Sequence, residues 1–233
     1  MKSRQKKLII NITILSIILI FLLIFFNILY KDEITINKNY SNLNLNNYNN
    51  LMIISHPGDE LLWGTSKLLE DNYLVVCITC GSEITKTEEF YESISSTNDQ
   101  YIILGYEEYS GNERSNWSDI TDDLTNDLKE IIELRNWDKI VTHNPNGEYG
   151  HAQHKITSNI VTSITTNNLY YFGNYYNKKT IGNHTKHLVP ISQNTLNKKQ
   201  ELIGIYNSEQ YFQTSFNHMF PYENWISYEE WGE

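Results

Sequence analysis

The chain has 233 residues, with 28 acidic against 18 basic side chains and a formal net charge of −10. That balance is the reverse of the basic surface a nucleic-acid binder presents, and 40% hydrophobic with 20% charged residues excludes wholesale disorder. Two cysteines exclude a disulfide framework and a four-cysteine zinc site, and the length suits one sizeable α/β domain with a short appendage.

Residues 1–30 read as a basic flank and a membrane anchor. Lys2, Arg4, Lys6 and Lys7 precede Leu8–Leu29, which are 22 residues without a charge. At about 1.5 Å per residue, such a helix crosses the roughly 30 Å hydrocarbon core of a bilayer. No small-x-small cleavage site closes the run, so an uncleaved anchor is the reading over a signal peptide. The basic flank places the N-terminus in the cytosol and the remainder outside it. Residues 31–49, rich in Asn, Tyr and Lys, read as a polar stalk, and residues 50–233 as the domain.

Within the domain, strands and helices alternate. Leu51–Ile54 is a short apolar run, broken by Pro57-Gly58, and Asp59–Asp71 has helical spacing. Tyr73–Ile78 predicts a second buried strand, Thr85–Asp99 a helix, and Tyr101–Leu104 a third strand. Ile120–Leu134 is amphipathic, with Leu124, Leu128 and Ile131 on one face. Lys139–Thr142 reads as a fourth strand, residues 150–166 as a helix, and Leu169–Phe172 as a fifth strand. Lys198–Tyr206 looks helical, and the aromatic-rich segment Tyr211–Trp231, with Phe212 and Phe216, reads first as packing for the edge of the domain and otherwise as lining for a sugar site or a contact with the membrane surface. The alternation predicts an α/β fold, an open and mostly parallel sheet with helices on both faces. In such sheets the chemistry sits at the carboxyl ends of the strands.

Two segments lie at such ends: Ser55-His56-Pro57-Gly58-Asp59-Glu60 after the first strand, and His143 to His154 after the fourth. They hold four of the seven histidines. His56 and Asp59 flank a Pro-Gly turn that lets both side chains converge. His151 and His154 are at i, i+3 on the first turn of a helix and share a side. Two imidazoles and a carboxylate make a three-ligand set with an open position, the pattern of a catalytic zinc site, and they suit non-haem iron(II) as well.

These segments resemble the two signatures of the PIG-L/LmbE-like zinc de-N-acetylases, His-Pro-Asp-Asp-Glu and Gly-x-x-Gly-His-x-x-His. The resemblance covers residues 50–210. Lys86-Thr87-Glu88-Glu89 is similar to the family's Arg-x-x-Glu, and Lys198–Ser208 to its late Lys…Tyr-x-Ser helix. It implies a Rossmann-like α/β fold and removal of an N-acetyl group from an N-acetylglucosaminyl substrate such as N-acetylglucosaminyl-phosphatidylinositol. The anchor favours a lipid-linked one. By the same resemblance His56, Asp59 and His154 are the zinc ligands, and His151 stabilises the oxyanion or protonates the leaving amine. Glu60 closes the first signature, and Lys86, Asn144 and Tyr149 are assigned to the substrate. The departure is Gly58, where the family has the aspartate that serves as general base. Glu148 and Glu60 are the nearby carboxylates that would substitute, Glu148 first, and an aspartate placed at position 58 would stand beside the metal. The alternative to an enzyme is a metal-retaining sugar- or glycolipid-binding protein.

Cys77 and Cys80, at i, i+3 on a strand, point to opposite faces and read as core packing. His184 and His187 sit in a polar loop with no carboxylate partner. The anchor has a direct consequence: the full-length protein should stay in the membrane fraction through carbonate extraction, and its recovery in the soluble fraction would remove the anchor.

Overall fold

The computed structural model describes residues 43–79, 81 and 83–232, together with Ser16, Ile20 and Tyr40. Two compact units are distinguished, Met1–Thr35 and Ile36–Glu233. In the first, Ser16 and Ile20 are helical, and the rest of the anchor stretch Leu8–Leu29 lies outside the described residues, as does Cys80. Among the described residues no helix is long and apolar enough to cross a membrane.

In the second unit, β1 (Asn50–Ile54), β2 (Tyr73–Cys77), β3 (Gln100–Ile103), β6 (Lys139–Thr142) and β7 (Leu169–Phe172) form a parallel sheet. A sixth strand, β8 (Trp225–Ser227), adds antiparallel to β7, giving the order β3-β2-β1-β6-β7-β8. A two-residue-per-strand hairpin, β4 (Tyr109–Ser110) and β5 (Glu113–Arg114), stands apart from this sheet. The principal helices are α1 (Asp59–Leu68), α2 (Ile84–Thr97), α3 (Thr121–Ile132), α4 (Ala152–Ile164) and α5 (Gln193–Ile203).

Strand alternation sorts the core into two layers. Met52, Ile54, Val75 and Cys77 face Leu61, Leu68, Phe90, Ile94 and Leu202 from α1, α2 and α5. Leu51, Ile53, Leu74 and Val76 face Leu124, Leu128, Ile131 and Val161 from α3 and α4. Burial on both faces is why β1 and β2 read as unbroken apolar runs. After β1 the chain moves to β2 on one side, and it returns through α3 to β6 on the other. The carboxyl ends of β1 and β6 therefore flank the point where the strand order reverses, where open α/β sheets hold their ligands.

The second half of the polar stalk belongs to the domain. Tyr40 is buried with Leu43 and Leu45 packed beside it, and Arg135 Nη1 donates to the carbonyls of Leu45 and Tyr48. Helix α5 begins at Gln193, ahead of the periodic signal at Lys198, because Ser192 caps it by accepting from the Thr195 amide at 3.1 Å. The aromatic C-terminal segment packs the domain as read and in addition supplies β8.

Lys199 on α5 is fully buried and ties this segment to α1. Its Nζ donates to the Leu62 carbonyl at 2.8 Å and to Glu223 Oε1 at 2.7 Å, while Glu223 Oε2 accepts from the Ser66 amide at 2.8 Å. Removing one partner strands a buried charge. Glu223→Ala should cost about 3–5 kcal/mol. The paired replacement Lys199→Met with Glu223→Leu should cost less than that single change, as read by denaturant midpoints. Equal losses would show that the ion pair is not what holds the junction.

Candidate metal centre and its cavity

The loop after β1 turns sharply, with the Asp59 amide donating to the His56 carbonyl at 3.3 Å and Gly58 forming the N-cap of α1 at φ 93°. The turn brings the two side chains together: His56 Nδ1 is 3.3 Å from Asp59 Oδ2. His154, on the first turn of α4, completes a triangle. Its Nε2 lies 3.1 Å from His56 Nδ1 and 3.4 Å from Asp59 Oδ2.

Surrounding bonds fix which atoms carry hydrogen. Gln153 donates both amide hydrogens to the Glu108 and Ser115 carbonyls, so its Oε1 faces His56 Nε2 at 2.7 Å and must accept from it. His154 Nδ1 donates to Glu148 Oε2 at 2.5 Å. The remaining lone pairs, on His56 Nδ1, His154 Nε2 and Asp59 Oδ2, converge, with the His56 amide also donating to Asp59 Oδ2 at 3.0 Å, and a cation among them would be held by all three. Zinc bonds of about 2.0–2.1 Å in a tetrahedron put ligand atoms roughly 3.3 Å apart, which is the spacing found. Outer hydrogen bonds to carboxylate and amide oxygens are what orient metal-ligating imidazoles.

Two further imidazoles adjoin the triangle, and the donor atoms of His56, His151 and His154 and of Asp59, His143 and His154 each lie within 4.8 Å of one another. His143 stacks on His154 at 3.7 Å between centroids. Its Nε2 accepts from the Ser55 amide at 2.9 Å and its Nδ1 donates to Glu148 Oε2 at 3.1 Å, so its lone pair is already used. His151 differs, because its Nδ1 is buried without a hydrogen-bond partner among the described residues.

Charge follows these contacts. Burial pushes the Asp59 carboxyl up, but His154 and His143 outweigh it and hold the group well below the usual carboxylate range. Glu148 is likewise lowered against its burial by His143 and His154. Burial depresses His154, yet Asp59 and Glu148 on either side raise it to about 9, so a proton occupies the triangle when no metal does. Burial, with His154 and His56 nearby, lowers His151 to about 2.

Three sequence assignments change. Glu148 does not face the cavity: its carboxylate is consumed by His143, His154 and the Asn144 amide. Its backbone sits at φ 49°, between Gly147 and Gly150, and this rare conformation turns the side chain inward. It orients His154 and is not placed to act as a base. Glu60 is sealed as well, accepting from the Gly58 amide at 2.7 Å, Ser93 Oγ at 2.8 Å and the Tyr206 hydroxyl at 2.5 Å, with burial raising it to about 7. Asn144 is fully buried, bonding the Phe172 carbonyl and the Glu148 amide, and it shapes the loop out of reach of a substrate.

Position 58 is also closed. A Cβ there would fall within contact of Phe212 Cε2 and 2.6 Å from its Cζ, and the positive φ already disfavours a side chain. An aspartate cannot enter unless Phe212 moves, so the carboxylate envisaged beside the metal has no room.

The triangle opens into a cavity of about 330 Å³. His56, Asp59, His151, Lys86 and Tyr149 line it, so the structure gathers these sequence-singled residues in one place. Lys86 lies 3.0 Å from Glu209 and 3.3 Å from Glu108, which in turn lies 3.3 Å from Arg114. Tyr211, Phe212 and Phe216 add aromatic wall. Sequence reasoning missed His143, Gln153, Glu108, Arg114 and Glu209. The first two lay inside the second signature segment, and the others carry no motif. The late Tyr206-x-Ser208 resemblance acquires a structural meaning: Tyr206 holds Glu60, and Ser208 donates through Oγ and amide to Glu89.

No family model matches the chain. An uncharacterized protein of Acanthamoeba polyphaga mimivirus is 36% identical over 148 residues, a match spanning 56% of this chain and 63% of that protein. By structure the chain is similar to a deacetylase of the teicoplanin biosynthesis pathway, with a TM-score of 0.55 at 14% identity, over 73% of this chain and 88% of that one. The pseudoaglycone deacetylase Dbv21 aligns with the same TM-score of 0.55 at 12% identity, over 75% of this chain and 88% of its own. The α/β architecture expected from the two signatures is thus the fold these deacetylases share with the chain.

If the triangle is the metal site, its support should be measurable. His154→Ala should hold well below one equivalent of zinc, and Glu148→Gln should weaken zinc affinity by about 10- to 100-fold, in titrations against a chromophoric chelator. Wild-type occupancy in His154→Ala would exclude this ligand set.

Proposed function

We propose that the chain is a metal-dependent amide hydrolase that removes the acetyl group from an N-acetylated amino sugar, with His56, Asp59 and His154 holding one divalent ion, zinc or iron(II). The observation that carries this reading is the convergence of three metal-ligating donor atoms, 3.1–3.4 Å apart, at the base of a cavity at a sheet's switch point. The fold shared with two deacetylases supports it. An ion held there lowers the pKa of water toward about 7 and polarises the acyl carbonyl.

The remaining chemistry falls to the chain's own residues. Hydrolysis adds water across the amide, breaks the carbon–nitrogen bond and moves a proton to the departing amine. With no side chain at position 58, and with Glu60 and Glu148 sealed, His151 is the cavity-lining imidazole left to relay that proton, and because burial and its neighbours keep it neutral it holds the proton only in passing. Its Nδ1 has no partner among the described residues, and its ring packs against both ligand imidazoles, 4.7 Å from His56 and 4.2 Å from His154 between centroids. Lys86 and Arg114, each held by Glu108, and Glu209 offer charged contacts to sugar hydroxyls. Tyr149, 42% exposed, offers a ring face at the cavity. The apolar run Leu8–Leu29 favours a membrane-anchored protein whose N-terminus lies in the cytosol, acting on a lipid-linked N-acetylglucosaminyl conjugate outside it.

The closure of position 58 by Phe212 favours a second reading, a metal-holding sugar- or glycolipid-binding protein without turnover. One experiment separates the two. The zinc-loaded protein should release acetate and a free amine from N-acetylglucosaminyl substrates, and His151→Ala should keep its metal while losing about 10²- to 10⁴-fold in kcat. No release by wild type, with metal and N-acetylglucosamine binding both intact, would establish the binding protein. Turnover unaffected by His151→Ala would remove His151 from proton transfer, and loss of metal in that variant would make His151 a ligand.

A further inference from the structure

The cavity is lined by both charged and apolar groups. The charged ones form a single chain of ion pairs, Glu209 to Lys86 to Glu108 to Arg114. The apolar ones include Leu62, Phe212 and Phe216, with the Phe212 ring set against Gly58. The Leu62 amide donates to the Gly58 carbonyl at 2.9 Å, and the Phe212 ring occupies the space a side chain at 58 would take. Gly58 immediately precedes Asp59, so this apolar patch adjoins the donor triangle.

An N-acyl amine whose carbonyl sits at that triangle presents two unlike substituents, because the acyl tail and the amine-bearing sugar leave the carbonyl carbon in different directions. The hydroxyl-rich sugar matches the ion-pair chain, and the tail matches the apolar patch. The ring that bounds the patch is well fixed. Phe212 is only 3% exposed and packs near Tyr206, Tyr211 and Phe216 at centroid distances of 6.0, 4.7 and 6.3 Å, while the Tyr206 hydroxyl is anchored on Glu60. A fixed wall discriminates by size, since an unaccommodated methylene in a packed apolar site costs about tenfold or more in specificity.

We propose that Phe212, seated where residue 58 lacks a side chain, is the wall of an acyl subsite and limits the substrate to a short acyl group of two or three carbons. This rests on the hydrolase reading for its use, but the subsite itself can be tested without turnover. The probes are N-acetyl-, N-butyryl- and N-hexanoyl-glucosamine for hydrolysis, and acetate, butyrate and hexanoate for calorimetric binding to the zinc-loaded full-length protein. Wild type should prefer the acetyl member in both series. Phe212→Ala, and Phe212→Leu should the alanine variant fail to fold, should raise the hexanoyl-to-acetyl ratio by about tenfold or more. Hydrolysis with unchanged ratios in folded, zinc-retaining variants would overturn the subsite and leave the hydrolase reading intact. A shift in carboxylate binding with no amide cleaved by any form would uphold the subsite and overturn the hydrolase.

Discussion

The donor atoms His56 Nδ1, His154 Nε2 and Asp59 Oδ2 are held 3.1–3.4 Å apart, a spacing at which they repel unless a proton or a metal cation lies among them. Much of the architecture around the switch point acts to keep them there. Gln153 fixes one tautomer through His56 Nε2, and Glu148 fixes the other through His154 Nδ1. Glu148 is itself kept in a left-handed backbone conformation by its bonds to His143 and to the Asn144 amide. Asn144 in turn is pinned to the carbonyls of Phe172 and Gly173 at the end of β7. The sequence of supports runs from the sheet to the donor atoms without a free rotor in it, the kind of preorganisation a metal site needs.

A second set of supports organises the other side. Glu60 gathers the Gly58 amide, Ser93 and Tyr206, which joins α1, α2 and the segment after α5 at one buried carboxyl. Lys199 and Glu223 make a parallel junction between α5, α1 and the chain before β8. Both place Phe212 against Gly58 by fixing the elements on either side of it. The aromatic wall is therefore a consequence of how the last third of the chain is tied down.

How much of this was legible in the sequence depended on where the signal lay. β6 and β7 were read to the residue, because each is a short apolar run between turn-forming residues. β8 was not, since Trp225-Ile226-Ser227 lies in an aromatic-rich tail and its strand character comes from pairing with β7. The start of α5 was late because its first turn, Gln193-Asn194-Thr195, has no apolar periodicity and depends on the Ser192 cap. In the site, the pairing of His56 with Asp59 followed from local spacing on a turn and that of His151 with His154 from spacing on a helix, while the choice of His154 as ligand came with the family resemblance. The direction of Glu148 followed from neither, because a single φ of 49° reverses where its side chain points. The missing side chain at position 58 was visible in the sequence, but the ring that fills its place is brought there by tertiary packing alone.

That ring settles how protons can move in the cavity. A carboxylate base beside the triangle would need a side chain at 58, and Phe212 excludes one. Recruiting Glu60 would strip the Gly58 amide, Ser93 and Tyr206 of their shared partner inside the core. Recruiting Glu148 would release both imidazoles it orients, one of them a member of the triangle. Glu108 and Glu209 reach the cavity already paired with Lys86 and Arg114. The carboxylates around the donor atoms are thus committed, while one ring nitrogen of His151 faces no partner among the described residues. On the proposed hydrolase reading that imidazole is the group placed to relay the proton, and on the binding reading the same frame serves to hold the metal and the sugar.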